Sequence, residues 1–138
     1  QSNWNLVDDA LSTLEALYAS GYRLGIVSNA GDNKDVFQLV DKFGIEPYFD
    51  FVLTSAACGW RKPHPRIFEL ALAHWGYSSA EAAMVGDKLD ADIFGANRVG
   101  IFSIWVSRYA SRKKQATIVP TAQAETLAEI TGILKGVQ

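Results

Sequence analysis

Three short stretches of the chain carry side chains suited to a phosphate group and a hard cation. Ser28-Asn29 closes an apolar run ending at Val27. Arg61-Lys62-Pro63-His64-Pro65 follows a second apolar run, and Gly86-Asp87, with Asp90 and Asp92 close behind, follows a third. A lysine ammonium neutralises phosphoryl charge as a point charge. Carboxylates bind Mg²⁺ through oxygen. In an open parallel sheet, function collects at the carboxyl ends of the strands. If the three runs are strands of one such sheet, a hydroxyl, an ammonium and carboxylates meet at one edge.

The elements that must position these groups are legible as two alternating hydrophobic periods. Val7, Leu11, Leu14 and Leu17/Tyr18 recur at helical spacing, with Gly21 as a stop signal. Tyr22 to Val27 is too short for a buried helix and is bounded by glycines, which predicts a strand. Val36, Leu39/Val40 and Phe43 predict a second helix, and Tyr48 to Thr54 a second strand. Pro65 suits the first position of a helix, where its missing N–H has no intrahelical partner in any case. That helix runs to Trp75 and stops at Gly76. Ser78-x-x-Glu81 has the form of a capping box. Ala83 to Val85 predicts a third strand, a helix opens at Asp92 and runs through Asn97, and Ile101 to Val106 is a fourth strand. Ile118-Val119 reads as a very short fifth strand, and Thr121 to Leu134 as a last amphipathic helix. The order predicts an α/β fold: a mostly parallel, Rossmann-like sheet with helices on both faces, in three layers.

Composition narrows the function classes. The chain has 138 residues, the length of one domain. Hydrophobic residues are 49% and aromatic residues 12%, enough for a core and unlike a disordered chain. Lys+Arg 13 against Asp+Glu 15 leaves a net charge of −2, without the basic excess of a dedicated nucleic-acid binder. No apolar run approaches ~18 residues, so no membrane-spanning helix is expected. Cys58 is the single cysteine, which excludes an intrachain disulfide and suits a reducing, cytoplasmic setting. The opening Gln-Ser-Asn has no signal-peptide pattern; it reads as a protease-cleavage remnant or the edge of a longer natural chain.

Val27-Ser28-Asn29, Arg61-Lys62-Pro63-x-Pro65-x-Ile67-Phe68 and Val85-Gly86-Asp87-x4-Asp92-x2-Gly95-Ala96 resemble motifs II, III and IV of the haloacid dehalogenase-like (HAD) hydrolase superfamily. The resemblance runs in order from about Leu6 to about Leu134. Each motif alone is weak; the three together, with the right elements between them, are specific. The resemblance implies that Ser28 and Asn29 hydrogen-bond the phosphoryl group. It implies that Lys62 stabilises charge on nucleophile and phosphate, and that Asp87 and Asp92 belong to a Mg²⁺ site. The Gly-Asp pair resembles the phosphatase branch rather than the metal-free dehalogenases.

Two features depart from the family pattern. Lys88 follows Asp87 directly, where small or polar residues are common. The motif I of the family, Asp-x-Asp-x-Thr/Val on the first strand, is not found before Leu6, and neither is the cap insertion that follows it. Residues 1–138 are therefore expected to be a partial core domain, the C-terminal part of the fold. The expected reading is a Mg²⁺-dependent phosphatase of small phosphorylated metabolites when complete, with this chain alone inactive. A nucleophilic aspartate from outside the chain would form an aspartyl-phosphate. The alternative is a non-catalytic interaction module, or a phosphate-ligand binder without turnover. Loss of the central strand predicts one of three outcomes: direct pairing of the strands on either side, a strand from another chain, or an upstream segment that completes the sheet.

Other reactive side chains have plainer readings. His64 is expected to be a loop residue and His74 a packing residue at a helix end. Cys58 has no His beside it in sequence to activate the thiol, so a small, half-buried role is expected. Asp90 is expected to face solvent. The basic run Arg108, Arg112, Lys113 and Lys114 is expected to be a solvated face.

Overall fold

The computed structural model describes residues 2–29, 41–42, 44–107 and 117–137, with side chains from residue 10 onward. The first hydrophobic repeat forms α1, Ser2–Ala19. The run after it makes a shorter strand than expected, β1 at Gly25–Ser28, because Tyr22 and Leu24 instead pack against the core ahead of it. The helix expected at Val36–Phe43 lies almost wholly outside the described residues. A 3-10 turn at Glu46–Tyr48 takes up the start of the second predicted strand, leaving β2 at Phe51–Thr54.

Thr54 ends β2 and caps a one-turn helix that hydrophobic periodicity does not announce, α2 at Ser55–Cys58. Its Oγ1 accepts from the Ala57 N–H at 3.2 Å. Pro65 opens α3, Pro65–Trp75, as its chemistry predicts. Gly76 closes it in the left-handed region, φ 76°, where glycine has no Cβ to strain, and its N–H reaches the Leu72 carbonyl at 2.9 Å.

After a 3-10 turn at Ser79–Glu81 come β3, Ala83–Gly86, a π-helical turn at Leu89–Ile93, and α4, Phe94–Arg98. Asp92 therefore lies inside the π-turn rather than opening the helix. β4 is Phe102–Val106 and β5 is Ala122–Ala124. β5 occupies sequence expected to be the first turn of the last helix, and Ile118-Val119 is not a strand. The reason is local: Thr121 and Ser103 bond each other through Ser103 N–H to Thr121 Oγ1 (3.1 Å) and Thr121 N–H to Ser103 Oγ (2.9 Å), which aligns the segment beside β4. The chain turns helical only at the Leu127–Glu129 3-10 turn, leading into α5, Ile130–Val137.

All strand pairs among the described residues are parallel. β1 pairs β2 from Gly25↔Phe51 to Ser28↔Thr54, and β3 pairs β4 from Ala83↔Phe102 to Gly86↔Trp105. β4 pairs β5 on its other side. Among the described residues, β1 and β3 share no ladder, so the direct pairing considered above does not occur.

Two core clusters sandwich the strands. Leu17 of α1 and Ile130 of α5 pack with Ile104, Val106 and Ala124 on one face. Ile67 and Phe68 of α3, with Ala96 of α4, pack on the other. Val27 and Leu53 from one strand pair and Met84 from the other border this second cluster. Met84 and Val85 face opposite clusters, as the period of two demands. α3 is thus the element that bridges the two halves of the sheet. The result is a mixed α/β fold with parallel strands and helices on both faces, as the sequence predicts.

Candidate active site

β1 delivers Ser28 and Asn29 at its carboxyl end, both half-buried. Asn29 does not reach outward. Its Oδ1 accepts from the Lys62 backbone N–H at 2.7 Å, and its Nδ2 donates to the Lys62 carbonyl at 2.9 Å. Lys62 sits in a turn closed by the His64 N–H on the Arg61 carbonyl at 2.9 Å. From that turn the ammonium enters the protein. It donates to the Val27 carbonyl at 2.9 Å and to Asp92 Oδ1 at 2.5 Å.

Asp92 is 4% exposed. Its second oxygen, Oδ2, accepts the Lys88 backbone N–H at 3.2 Å. The carboxylate lies so close to β3 that a Cβ on Gly86 would overlap it, which is why the residue before Asp87 is glycine. Both partners of the ion pair are nearly withdrawn from water, so each depends on the other: desolvating a lone charge costs several kcal/mol or more. Through its second bond, to the Val27 carbonyl, Lys62 also ties the end of β1 to the loop after β3; among the described residues no ladder joins β1 to β3.

Asp87 follows β3 and is half-buried. The indole Nε1–H of Trp105, one strand over on β4, donates to its carbonyl at 3.0 Å and fixes the start of the loop. Asp90 is exposed, as expected, and so is Lys88. Among the described residues, no three His, Cys, Asp or Glu side chains cluster as a metal centre. Asp92, expected beside the metal, is placed as the counter-ion of Lys62, with both oxygens engaged. Asn29, expected beside the phosphate, is placed against the Lys62 main chain.

Residues 1–106 match the haloacid dehalogenase-like hydrolase family. The chain belongs to this family. Among HAD relatives, a glyceraldehyde 3-phosphate phosphatase from Pyrococcus abyssi is 38% identical over 99 residues, covering 72% of this chain and 41% of that protein. A ribulose-1,5-bisphosphate 5-phosphatase from Halopiger xanaduensis is 41% identical over 100 residues, with 72% and 41% covered. A solved HAD phosphatase from Thermococcus onnurineus superposes with a TM-score of 0.82 at 35% identity, over 93% of this chain and 57% of that one. The chain spans about two-fifths of the length of these two curated relatives.

His64, His74 and Cys58 of this HAD chain have structural partners. His64 caps α3, its Nδ1 accepting the Arg66 N–H at 3.1 Å, and its ring stacks on Trp60 with centroids 4.3 Å apart. His74 packs beside Phe51 at 4.6 Å, and the Cys58 thiol donates to the Trp60 carbonyl at 3.3 Å. Arg108, Arg112, Lys113 and Lys114 lie outside the described residues. Motif and periodicity do not single out Trp60, which stacks on His64, or Trp105, which holds the Asp87 carbonyl. Trp60 carries a readable signal, its place two residues before Lys62; Trp105 carries none, because its partner is a main-chain carbonyl in the loop after another strand.

Proposed function

We propose that residues 1–138 are the C-terminal part of the core domain of a Mg²⁺-dependent phosphatase acting on small phosphorylated metabolites. The observation that carries this reading is the position of Lys62. Its ammonium is drawn to the junction of the β1 end and the loop after β3, the corner at which Ser28 and Asp87 also stand. The names of the relatives agree in class, since two of them are phosphatases of small phosphorylated sugars.

In this reading the Lys62 ammonium neutralises phosphoryl charge, and the Ser28 hydroxyl donates a hydrogen bond to a phosphoryl oxygen. Mg²⁺, when bound, supplies further charge neutralisation. Asp87 is the carboxylate of this chain that suits it. Asp92, spent on Lys62 and the Lys88 N–H, acts behind the lysine. The nucleophilic aspartate and a second metal carboxylate would come from a strand outside these residues, seated between β1 and β3. An upstream segment would supply that strand, and the cap that selects the substrate would come with it. No described helix is long and apolar enough to cross a membrane. A reducing, cytoplasmic setting accords with the single cysteine.

The test is an aryl-phosphate assay with Mg²⁺, run on this chain and on the protein extended by its natural upstream sequence. The expected result is no turnover by the chain and turnover by the extended protein. Turnover by the chain that survives repurification and disappears in Asp87→Ala would mean a nucleophile within these residues and would overturn the reading. An inactive extended protein carrying an intact upstream Asp-x-Asp would favour a non-catalytic HAD module.

A further inference from the structure

Asn29 spends both ends of its amide on a single peptide, that of Lys62. The oxygen faces an N–H and the NH₂ faces a carbonyl, at 2.7 and 2.9 Å. The orientation admits no reversal, because the Lys62 N–H can only donate and its carbonyl can only accept. The two residues are 33 apart in sequence, so this reciprocal pair joins the end of β1 to a turn that follows β2 and α2 along the chain. The same Lys62 reaches back to β1 with its ammonium, to the Val27 carbonyl. Main chain and side chain of Lys62 are thus both referenced to β1, at Asn29 and Val27, the residues directly after and before Ser28.

We propose that Asn29 is a positioning residue rather than a phosphate ligand: it latches the Lys62 turn to β1 and so fixes the Lys62 ammonium relative to Ser28. The inference rests on the phosphatase reading only for what the ammonium does; the latch itself is a property of this chain. Without it, among the described residues, the ammonium on the Val27 carbonyl is the hydrogen bond that holds the turn to β1. The Lys62–Asp92 pair must then restrain the backbone that is meant to aim it. A reciprocal pair of partly buried hydrogen bonds is worth about a tenfold bias toward the aimed position, with each bond contributing about threefold.

The experiment reads Lys62 directly on this chain, with no substrate. Amines are acetylated by an N-hydroxysuccinimide ester at native pH and counted by mass spectrometry, with exposed Lys88 as the internal reference. In the wild-type chain, Lys62 is expected to label at least about tenfold more slowly than Lys88, given its withdrawn ammonium. Asn29→Ala is expected to raise the Lys62 rate about tenfold, with the Lys88 rate unchanged and the Lys62 amide losing its protection from hydrogen exchange. Asn29→Asp keeps the acceptor and sets a second oxygen against the Lys62 carbonyl. It is expected to raise Lys62 labelling while preserving the Lys62 amide protection, so it reports on the latch even if the alanine variant does not fold. Lys62 labelling at the Lys88 rate in the wild type, or unchanged labelling in a folded Asn29 variant, would overturn the proposal. Either result leaves the phosphatase reading to its own activity assay, so the two failures are distinguishable.

Discussion

Breaking the Lys62–Asp92 pair should be among the most damaging changes available in this chain. The Nζ–Oδ1 distance is 2.5 Å, and the side chains are only 10% and 6% exposed. Lys62→Met leaves the Asp92 carboxylate buried with one N–H, from Lys88, and takes the donor from the Val27 carbonyl. Asp92→Asn leaves a buried ammonium and a mismatch, because whichever amide atom faces Lys62 or the Lys88 N–H, one position receives a donor where an acceptor is needed. Removing one partner of a buried pair costs about 3–5 kcal/mol, because the other charge stays desolvated. For a chain of this length that corresponds to a fall in Tm of about 10–15 °C. The exposed Arg66–Glu69 pair, at 3.6 Å, is the contrast, worth about 0–1 kcal/mol. Urea unfolding of the two single variants and the double variant gives the coupling. The double variant is expected to cost less than the singles together, since no lone charge remains. Single variants that each cost under about 1 kcal/mol would refute the reasoning and place the pair with surface pairs.

Three further outcomes follow from the geometry. Gly86→Ala is expected to destabilise by about 1–3 kcal/mol and to displace Asp92, because the new Cβ overlaps the carboxylate; chemical denaturation measures it. Trp105→Phe removes the N–H on the Asp87 carbonyl while keeping most of the ring, and is expected to cost about 1 kcal/mol in the same assay. Glu129 is held below its ordinary value of 4.5, chiefly by the Thr126 N–H. A depressed carboxyl stabilises the folded chain above the unfolded-state value and loses that contribution as pH falls through the folded one. Glu129→Gln should therefore lower Tm at pH 7, and the difference from wild type should shrink below about pH 4.5.

The parts of the fold written in local chemistry are the parts the sequence reveals. Pro65 and Gly76 mark α3 at both ends, and the apolar run Ala83–Val85 marks β3. The last segment is the instructive failure. Helical spacing starts at Thr121, but five residues later Thr126-x-x-Glu129 is itself a start signal, in which the Glu129 carboxylate accepts the Thr126 N–H at 2.9 Å. The residues before it pair with β4, a choice made by Ser103 from a distant element. The same division holds at the site. Residue types and spacing single out Ser28, Lys62 and Asp87. They do not show that Asn29 and Asp92 turn inward to Lys62, since those partners lie 33 and 30 positions away and are set by how α3 bridges the sheet.

The most direct measurement of the central claim is kcat of the extended protein with and without the Lys62 ammonium. Lys62→Ala is expected to lower kcat toward an aryl phosphate by about 10²–10³-fold, as expected when a preorganised group facing developing charge is removed. That comparison is made at a temperature where both proteins are folded. A folded Lys62→Ala protein that keeps kcat within about threefold of wild type would contradict the account, because that change is under 1 kcal/mol of transition-state stabilisation.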